Sequence, residues 1–210
     1  MTEHPPNSVF VGALILGAGK SARMGQPKLL LPWGGATVLG HLLEQWKRLG
    51  VEQIAVVCAA GDAALKKELD RLEFPIAARI HNPEPERGMF SSIQCAAAWP
   101  GWNPALTHLA IVLGDQPHLR QKTLRAVLDF SAAHPQKVCS PRQHGHRHHP
   151  VLLPRTAFEH LPGSGAANLR EFLLGCEEAH CDLEDPGLDL DIDHPKDYEK
   201  ALKLGMTDAL

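Results

Sequence analysis

An α/β fold with a mainly parallel sheet is what this sequence predicts, and three observations lead there. Short apolar runs bounded by Gly, Pro, Asn or Asp recur at Val9–Leu16, Ile54–Cys58, Ala78–His81 and Leu109–Leu113. Their length and composition suit strands covered on both faces. Segments with helical spacing of leucines fall between them, and strand and helix alternate over about 135 residues.

Taken in order, Val9–Leu16 is the first strand and empties into Gly17. Thr37 is positioned to cap a helix whose Leu39, Leu42, Leu43, Trp46 and Leu49 share one face, and Gly50 stops it. After the strand Ile54–Cys58, Asp62 caps a second helix carrying Leu65, Leu69 and Leu72. Ala78–His81 is a strand, Ser91–Ala98 a helix, Leu109–Leu113 a strand and Gln121–Ala133 a helix. Beyond Pro135 the texture changes. Pro, Gly and His crowd Pro141–Pro154, a loop spans Leu161–Ala167, and Asn168–Leu174 is a short helical candidate. Val151–Leu153 and Ala179–Leu183 read as strands, and a terminal helix runs over Lys196–Lys203. This stretch is too short and irregular for a second domain. Residues 9–204 therefore form one domain, with 9–135 as its regular half and 136–204 shaped around a substrate.

Composition narrows the function. A chain of 210 residues, 44% apolar, can bury one substantial core. With 21% charged residues and a net charge of -3, it is neither a disordered segment nor a basic coat for nucleic acid. An anionic partner must meet a local cluster of charge. No stretch reaches the ~20 apolar residues of a membrane span, and the polar residues Met1–Ser8 resemble neither a secretory nor a transit peptide. A cytoplasmic protein is expected, with Cys58, Cys95, Cys139, Cys176 and Cys181 as reduced thiols, mostly in the core.

The glycine-rich stretch after the first strand admits three readings. Gly19-Lys20-Ser21 suggests a P-loop, but Leu14 stands where that motif needs its first glycine. Gly17-x-Gly19-x-x-Ala22 fits a dinucleotide fingerprint, yet Pro27 and Pro32-Trp33-Gly34-Gly35 interrupt the helix that such a crossover requires. No carboxylate closes a second strand ~20 residues on, where the ribose contact is expected. The third reading fits the cations. Leu16, Gly17, Ala18, Gly19 and Ser21 let backbone N–H groups approach a phosphate, and Lys20, Arg23 and Lys28 can neutralise a triphosphate of about four charges. The plain alternative is a solvated basic loop.

Carboxylates that could face such a ligand lie further along. Asp115, in Leu113-Gly114-Asp115-Gln116-Pro117, ends a strand where an open α/β sheet places its ligand, and a lone carboxylate there suits Mg²⁺. A turn-forming Asp-x-Pro is the bland alternative. In Leu188–Asp193, alternation puts Asp189, Asp191 and Asp193 on one face of a strand, with the leucines and Ile192 on the other. A cation between those carboxylates and a phosphate would relieve their repulsion, unless the strand is merely solvated and leads into the last helix. His144, His146 and His148 alternate too, as a metal site or an exposed loop.

The stretch Gly19-Lys20-Ser21-Ala22-Arg23-Met24-Gly25-Gln26-Pro27-Lys28 resembles the signature of the MobA/MocA-like nucleotidyltransferases of the molybdenum cofactor group, and Leu29–Trp33 extends the match. These are related to the sugar-nucleotide and methylerythritol phosphate cytidylyltransferases. The resemblance implies that the loop wraps a nucleoside triphosphate, with Arg23 and Lys28 on its phosphates and Asp115 on the metal. His81-Asn82-Pro83 and Gly88-Met89-Phe90-Ser91-Ser92-Ile93 resemble the segment around base and ribose, with Ser92 as the base contact, although Ser92 also reads as a helix cap. Asp191-Ile192-Asp193-His194-Pro195 resembles an element near the metal, to which either Asp191 or Asp193 contributes; His194 departs from the usual threonine. Gly145–Pro150 resembles a segment beside the second substrate, matching at His149 and Pro150, and Arg170 could meet an anionic group there.

These segments occur in family order over residues 9–204. The resemblance, to the molybdenum cofactor cytidylyltransferases above all, implies a single-domain, Rossmann-like nucleotide-diphospho-sugar transferase fold with a mainly parallel, mixed sheet. It also implies Mg²⁺-dependent transfer of CMP from CTP to molybdenum-molybdopterin, releasing pyrophosphate, with 9–135 as the nucleotide half and 136–204 as the pterin half. A molybdoenzyme of the xanthine dehydrogenase type, or its chaperone, is the implied recipient; nucleic acid and membrane are not implied. Ala18-Gly19 and Gln26 side with CTP, while Gly17 stands where an alanine is usual. GTP-dependent molybdopterin guanylyl transfer and a non-catalytic cofactor carrier on the same fold are the alternatives.

Overall fold

The computed structural model describes residues 9–19 and 22–207. Its first half runs β1 (Val11–Leu16), the short hairpin β2 (Pro32–Trp33) and β3 (Ala36–Thr37), α1 (Val38–Arg48), β4 (Gln53–Ala59), α2 (Ala63–Arg71), β5 (Arg79–Asn82), α3 (Met89–Ala97), β6 (His108–Leu113) and α4 (Gln121–Ala133). The second half runs β7 (Val138–Gln143), β8 (His146–Arg147), β9 (Val151–Pro154), α5 (Arg155–Glu159), α6 (Leu169–Leu173), β10 (Glu178–Asp182) and α7 (Pro195–Thr207).

The described residues build one eight-stranded sheet in the order β5-β4-β1-β6-β9-β7-β10, with β8 paired to β7. β5, β4, β1 and β6 are mutually parallel, as are β7 and β10. β9 runs antiparallel between β6 and β7, so the sheet is mixed and mainly parallel, as expected. The chain moves outward from β1 through β4 to β5, then returns to the other side of β1 with β6. Strand order therefore reverses between β1 and β6, whose last residues, Leu16 and Leu113, are partners. Such a switch point leaves a crevice beyond the carboxyl ends of the strands.

Period-two alternation makes the core two-layered. Ala13, Ile15, Val56, Ala110 and Val112 face α1, α2 and α4; Leu14, Ala55, Val57, Leu109 and Ile111 face α3, α5 and α6. The anticipated caps are present. Thr37 Oγ1 accepts from Gly40 N (3.1 Å), Asp62 Oδ1 accepts from Leu65 N (2.9 Å), and Gly50 takes φ +76° just beyond α1.

Three expectations need correction. The run Leu188–Asp193 is not a strand: its backbone closes on itself through Leu188 N to Asp185 O, Leu190 N to Gly187 O and Asp193 N to Asp191 O. Leu188 and Ile192 are buried all the same, so alternation of burial exists without a neighbouring strand to pair. The stretch Pro141–Pro154 is less of a loop than its composition suggests. Pro141 lies inside β7, where it needs no donor and its carbonyl accepts from His148 N (2.9 Å). The third correction concerns α3, which starts at Met89 with Gly88 (φ +89°) before it and no side-chain cap, so Ser92 is not a cap.

Thr37 serves two helices, because its hydroxyl also donates to Glu68 Oε1 of α2 at 2.6 Å. Thr37→Ala is expected to cost about 1–2 kcal/mol in urea unfolding, with Thr37→Ser recovering most of it.

Candidate active site

A cleft of about 500 Å³ opens at the switch point. One wall is the end of β1, Leu16 to Gly19; Leu113, Gly114 and Asp115 at the end of β6 form its floor; Gly88, Met89 and Ser92 of the α3 start close the far side. Two glycines are there for close approach. A Cβ on Gly114 would stand 2.7 Å from Leu16 O, and one on Gly17 would stand 2.8 Å from Val57 O, which accepts from Gly17 N. The ends of the three strands are thus held together as only glycine allows. After Gly19 the described chain resumes in a 3-10 turn, Ala22–Met24, not the helix of a dinucleotide fold. Buried Met24 and Leu29 anchor the loop on the core, leaving Arg23 exposed and Lys28 at the cleft wall. Lys20 and Ser21 lie outside the described residues.

Lys28 is the centre of the site. Its ammonium contacts Asp115 Oδ2 at 3.1 Å and Asp193 Oδ1 at 2.7 Å, while Arg23 reaches Asp193 Oδ2 at 2.9 Å. Burial works against the charge of Lys28, but the bond to Asp193 and the charge of Asp115 outweigh it and hold the ammonium above its ordinary range. The bond from Lys28 holds Asp193 below the usual carboxylate range. Asp191 goes the other way, pushed up by burial and by neighbouring Asp115, although Gln116 Nε2 donates to its Oδ1 at 2.9 Å. The sequence-predicted Arg23, Lys28, Asp115, Asp191 and Asp193 thus come together.

Asp189 does not join them. Its carboxylate accepts from Gln143 Nε2 (2.6 Å) and lies against His144 Nδ1 (3.2 Å) and His148 Nε2 (3.4 Å). The alternating aspartates separate because a turn, unlike a strand, gives successive side chains different directions. Two residues that sequence reasoning missed hold this turn. Gln143 Oε1 accepts from Asp185 N (2.7 Å), and buried Asp185 accepts from Thr123 Oγ1 (2.6 Å) and Gly187 N (2.9 Å). Nothing in the local pattern of either residue signals this role. Ile192 N completes the anchorage on Asp115 O at 3.1 Å, tying the acidic turn to β6.

On the far wall, fully buried Asn82 donates to Ser91 Oγ (2.8 Å) and Ser92 Oγ (3.0 Å) and accepts from Glu84 N (2.9 Å). It sets the turn that carries Gly88 to the cleft. His149, followed by a cis bond to Pro150, donates from Nδ1 to Ile111 O at 3.3 Å, and burial lowers its pKa to about 4. The imidazole is therefore uncharged. Arg170 is exposed on α6 and does not line the cleft. His144 hydrogen-bonds Asp189, His148 Nε2 lies 3.4 Å from the same carboxylate, and His146 is exposed on β8. All five cysteines are free, but against expectation only Cys58 and Cys139 are buried, while Cys95, Cys176 and Cys181 are partly exposed. Among the described residues no helix is long and apolar enough to cross a membrane.

The donor set suits a hard divalent cation. The carboxylates are oxygen donors, and Asp115 Oδ1 is buried with no hydrogen-bond partner. The described residues hold no cluster of three or more His, Cys, Asp or Glu side chains placed to enclose an ion. An ion here would need oxygens from a ligand, as Mg²⁺ commonly does with phosphate.

A glycine-lined crevice at a switch point, with Lys28 on its wall, Asp115 on its floor and Asp193 joining Lys28 to Arg23, is an arrangement that suits a nucleotidyltransferase. The family model described as MobA-like NTP transferase domain matches residues 13–180, and the chain belongs to that family. The match stops short of the acidic turn. The molybdenum cofactor cytidylyltransferase of Escherichia coli (strain K12) is 26% identical over 191 residues, 90% of this chain and 93% of that one. Rv0371c from Mycobacterium tuberculosis H37Rv superposes with a TM-score of 0.70 at 25% identity, covering 93% of this chain and 98% of its own. A manganese complex of Rv0371c superposes at 0.66 and 23% identity, covering 93% and 99%. CMP:2-keto-3-deoxy-manno-octonic acid synthetase complexed with CTP reaches 0.75 at 13% identity, over 96% of this chain and all of that one (100%), a likeness of fold alone.

His149 gives the fold a pH dependence. Its folded pKa of about 4 lies below the ordinary 6.5, so the unfolded chain binds the extra proton first. The stability it contributes is complete above 6.5 and is lost as pH falls through 4, with a slope approaching about 1.4 kcal/mol per pH unit between them. Denaturant unfolding between pH 7 and 4 should show this loss, and His149→Gln should flatten it.

Proposed function

We propose that this chain transfers CMP from CTP to molybdenum-molybdopterin, giving molybdopterin cytosine dinucleotide and pyrophosphate, with Mg²⁺ as cofactor. The observation that carries the proposal is Lys28 shared by Asp115 and Asp193 at a glycine-lined cleft. Similarity to the E. coli cytidylyltransferase across 90% of the chain supports the choice of substrates.

In this reading the loop Leu16, Gly17, Ala18 and Gly19, continuing through Lys20 and Ser21, wraps the triphosphate; the Gly17 N–H is taken by Val57 O, so the backbone donors come from the residues after it. Gly88 and Ser92 face the base and ribose, and Gly114, by letting the end of β6 pack against Leu16 O, brings Asp115 to the cleft floor. Lys28 and Arg23 neutralise charge as pyrophosphate departs. Asp115 and Asp193, already spanned by one cation, would hold Mg²⁺, with Asp191 beside them. When bound, the ion supplies charge neutralisation and orientation of phosphate oxygens. The pterin phosphate, a nucleophile without further activation, attacks in line from the 136–204 side, the half that carries His149, Pro150 and Arg170; none of the three lines the cleft itself, and exposed Arg170 serves as an outer anionic contact. The product is handed to a molybdoenzyme of the xanthine dehydrogenase type or its chaperone. The composition and charge that suit neither a membrane span nor a nucleic-acid coat agree with a cytoplasmic setting.

Purified protein should release pyrophosphate from CTP only with Mg²⁺ and molybdopterin present. Equal turnover with GTP would sink the cytidylyl assignment, and bound cofactor without turnover would make the chain a carrier. Asp115→Ala and Lys28→Ala should each lower kcat by roughly 10²- to 10³-fold, the scale of losing one transition-state contact.

A further inference from the structure

The carboxylates assigned to the divalent ion are already occupied, by the protein itself. Lys28 Nζ lies 3.1 Å from Asp115 Oδ2 and 2.7 Å from Asp193 Oδ1, and the second oxygen of Asp193 is taken by Arg23 at 2.9 Å. Asp191 adds a third carboxylate nearby, whose own partner is the neutral amide of Gln116. Without Lys28, Asp115 and Asp193 would face each other with only the largely exposed Arg23 to offset them. Asp115 Oδ1 remains without a partner in this arrangement.

We infer that Lys28 is the resident cation of the nucleotide-free site: its ammonium holds the divalent ion's place between Asp115 and Asp193 and leaves for the phosphates when nucleotide arrives. An ammonium and a divalent ion sharing the same two carboxylates repel each other, so the two occupancies compete. The inference rests on the nucleotidyltransferase reading, because only a polyanion offers Lys28 a better partner than two carboxylates. Its consequence is coupled loading. The free protein binds a divalent ion weakly, and nucleotide and ion enter together, coupled through one side chain. The same lysine keeps Asp115 and Asp193 from spreading apart while the cleft is empty, which preserves the geometry needed later.

The test is a Mn²⁺ titration of the full chain followed by the electron paramagnetic resonance of free Mn²⁺, with no nucleotide or pterin present. Lys28→Met and Lys28→Gln should bind Mn²⁺ at least tenfold more tightly than the unaltered protein. Lys28→Gln can still hydrogen-bond Asp193, which guards against a folding defect. Lys28→Arg, which keeps the charge, should stay within threefold of the unaltered protein. Asp115→Asn added to Lys28→Gln should abolish the gain and so locate it. Neutral variants that bind Mn²⁺ no more tightly, a gain equal in Lys28→Arg, or a gain that survives Asp115→Asn would each overturn the inference. Because no substrate is present, these outcomes are independent of whether CTP is turned over.

Discussion

One ammonium group joins parts of the chain that are far apart. Lys28 belongs to the loop after β1, Asp115 to the end of β6 and Asp193 to the turn before α7, at sequence separations of 87 and 165 residues. Like charges this close would drive the segments apart unless a cation lay between them. The acidic edge of the cleft therefore depends on Lys28. Its energetic weight comes from partial burial: the Lys28 side chain is only 16% exposed, where water screens a charge poorly.

The sheet supplies what the ion pairs cannot, a rigid edge. β1 and β6 end side by side at Leu16 and Leu113, and glycines at 17 and 114 let the backbone continue without a side chain in the way. The three strand ends are thereby packed closely enough to form one continuous edge beside the cleft. Buried Met24 and Leu29 fix the loop beyond, so Arg23 and Lys28 are presented from a firm base.

The second half of the chain works by buried polar contacts. Gln143 at the end of β7 holds both the Asp185 backbone and the Asp189 carboxylate, and Asp185 in turn accepts from Thr123 on α4. A turn rich in aspartate would otherwise move freely. Each of these groups costs more to leave unpaired than to pair, and that asymmetry gives the turn a single position over Asp115.

The amino-acid sequence by itself determined the alternating α/β order, the caps at Thr37 and Asp62, and the stop at Gly50. These depend on local spacing and local hydrogen bonds, which neighbours in sequence decide. It also singled out Arg23, Lys28 and Asp115 by their place after strands and near glycines, and Asp191 and Asp193 by alternation and by resemblance to a family motif, with a solvated loop or turn as the alternative for each. Only the tertiary structure decided that Asp189 turns away to Gln143, that Ser92 accepts from Asn82 at the cleft wall and is no cap, that Arg170 stands apart from the cleft, and that Pro141 lies in a strand. In each case the deciding partner is distant in the chain or set by packing. A local pattern records which side chains alternate, but whether a neighbouring strand exists to receive them is a property of the whole fold.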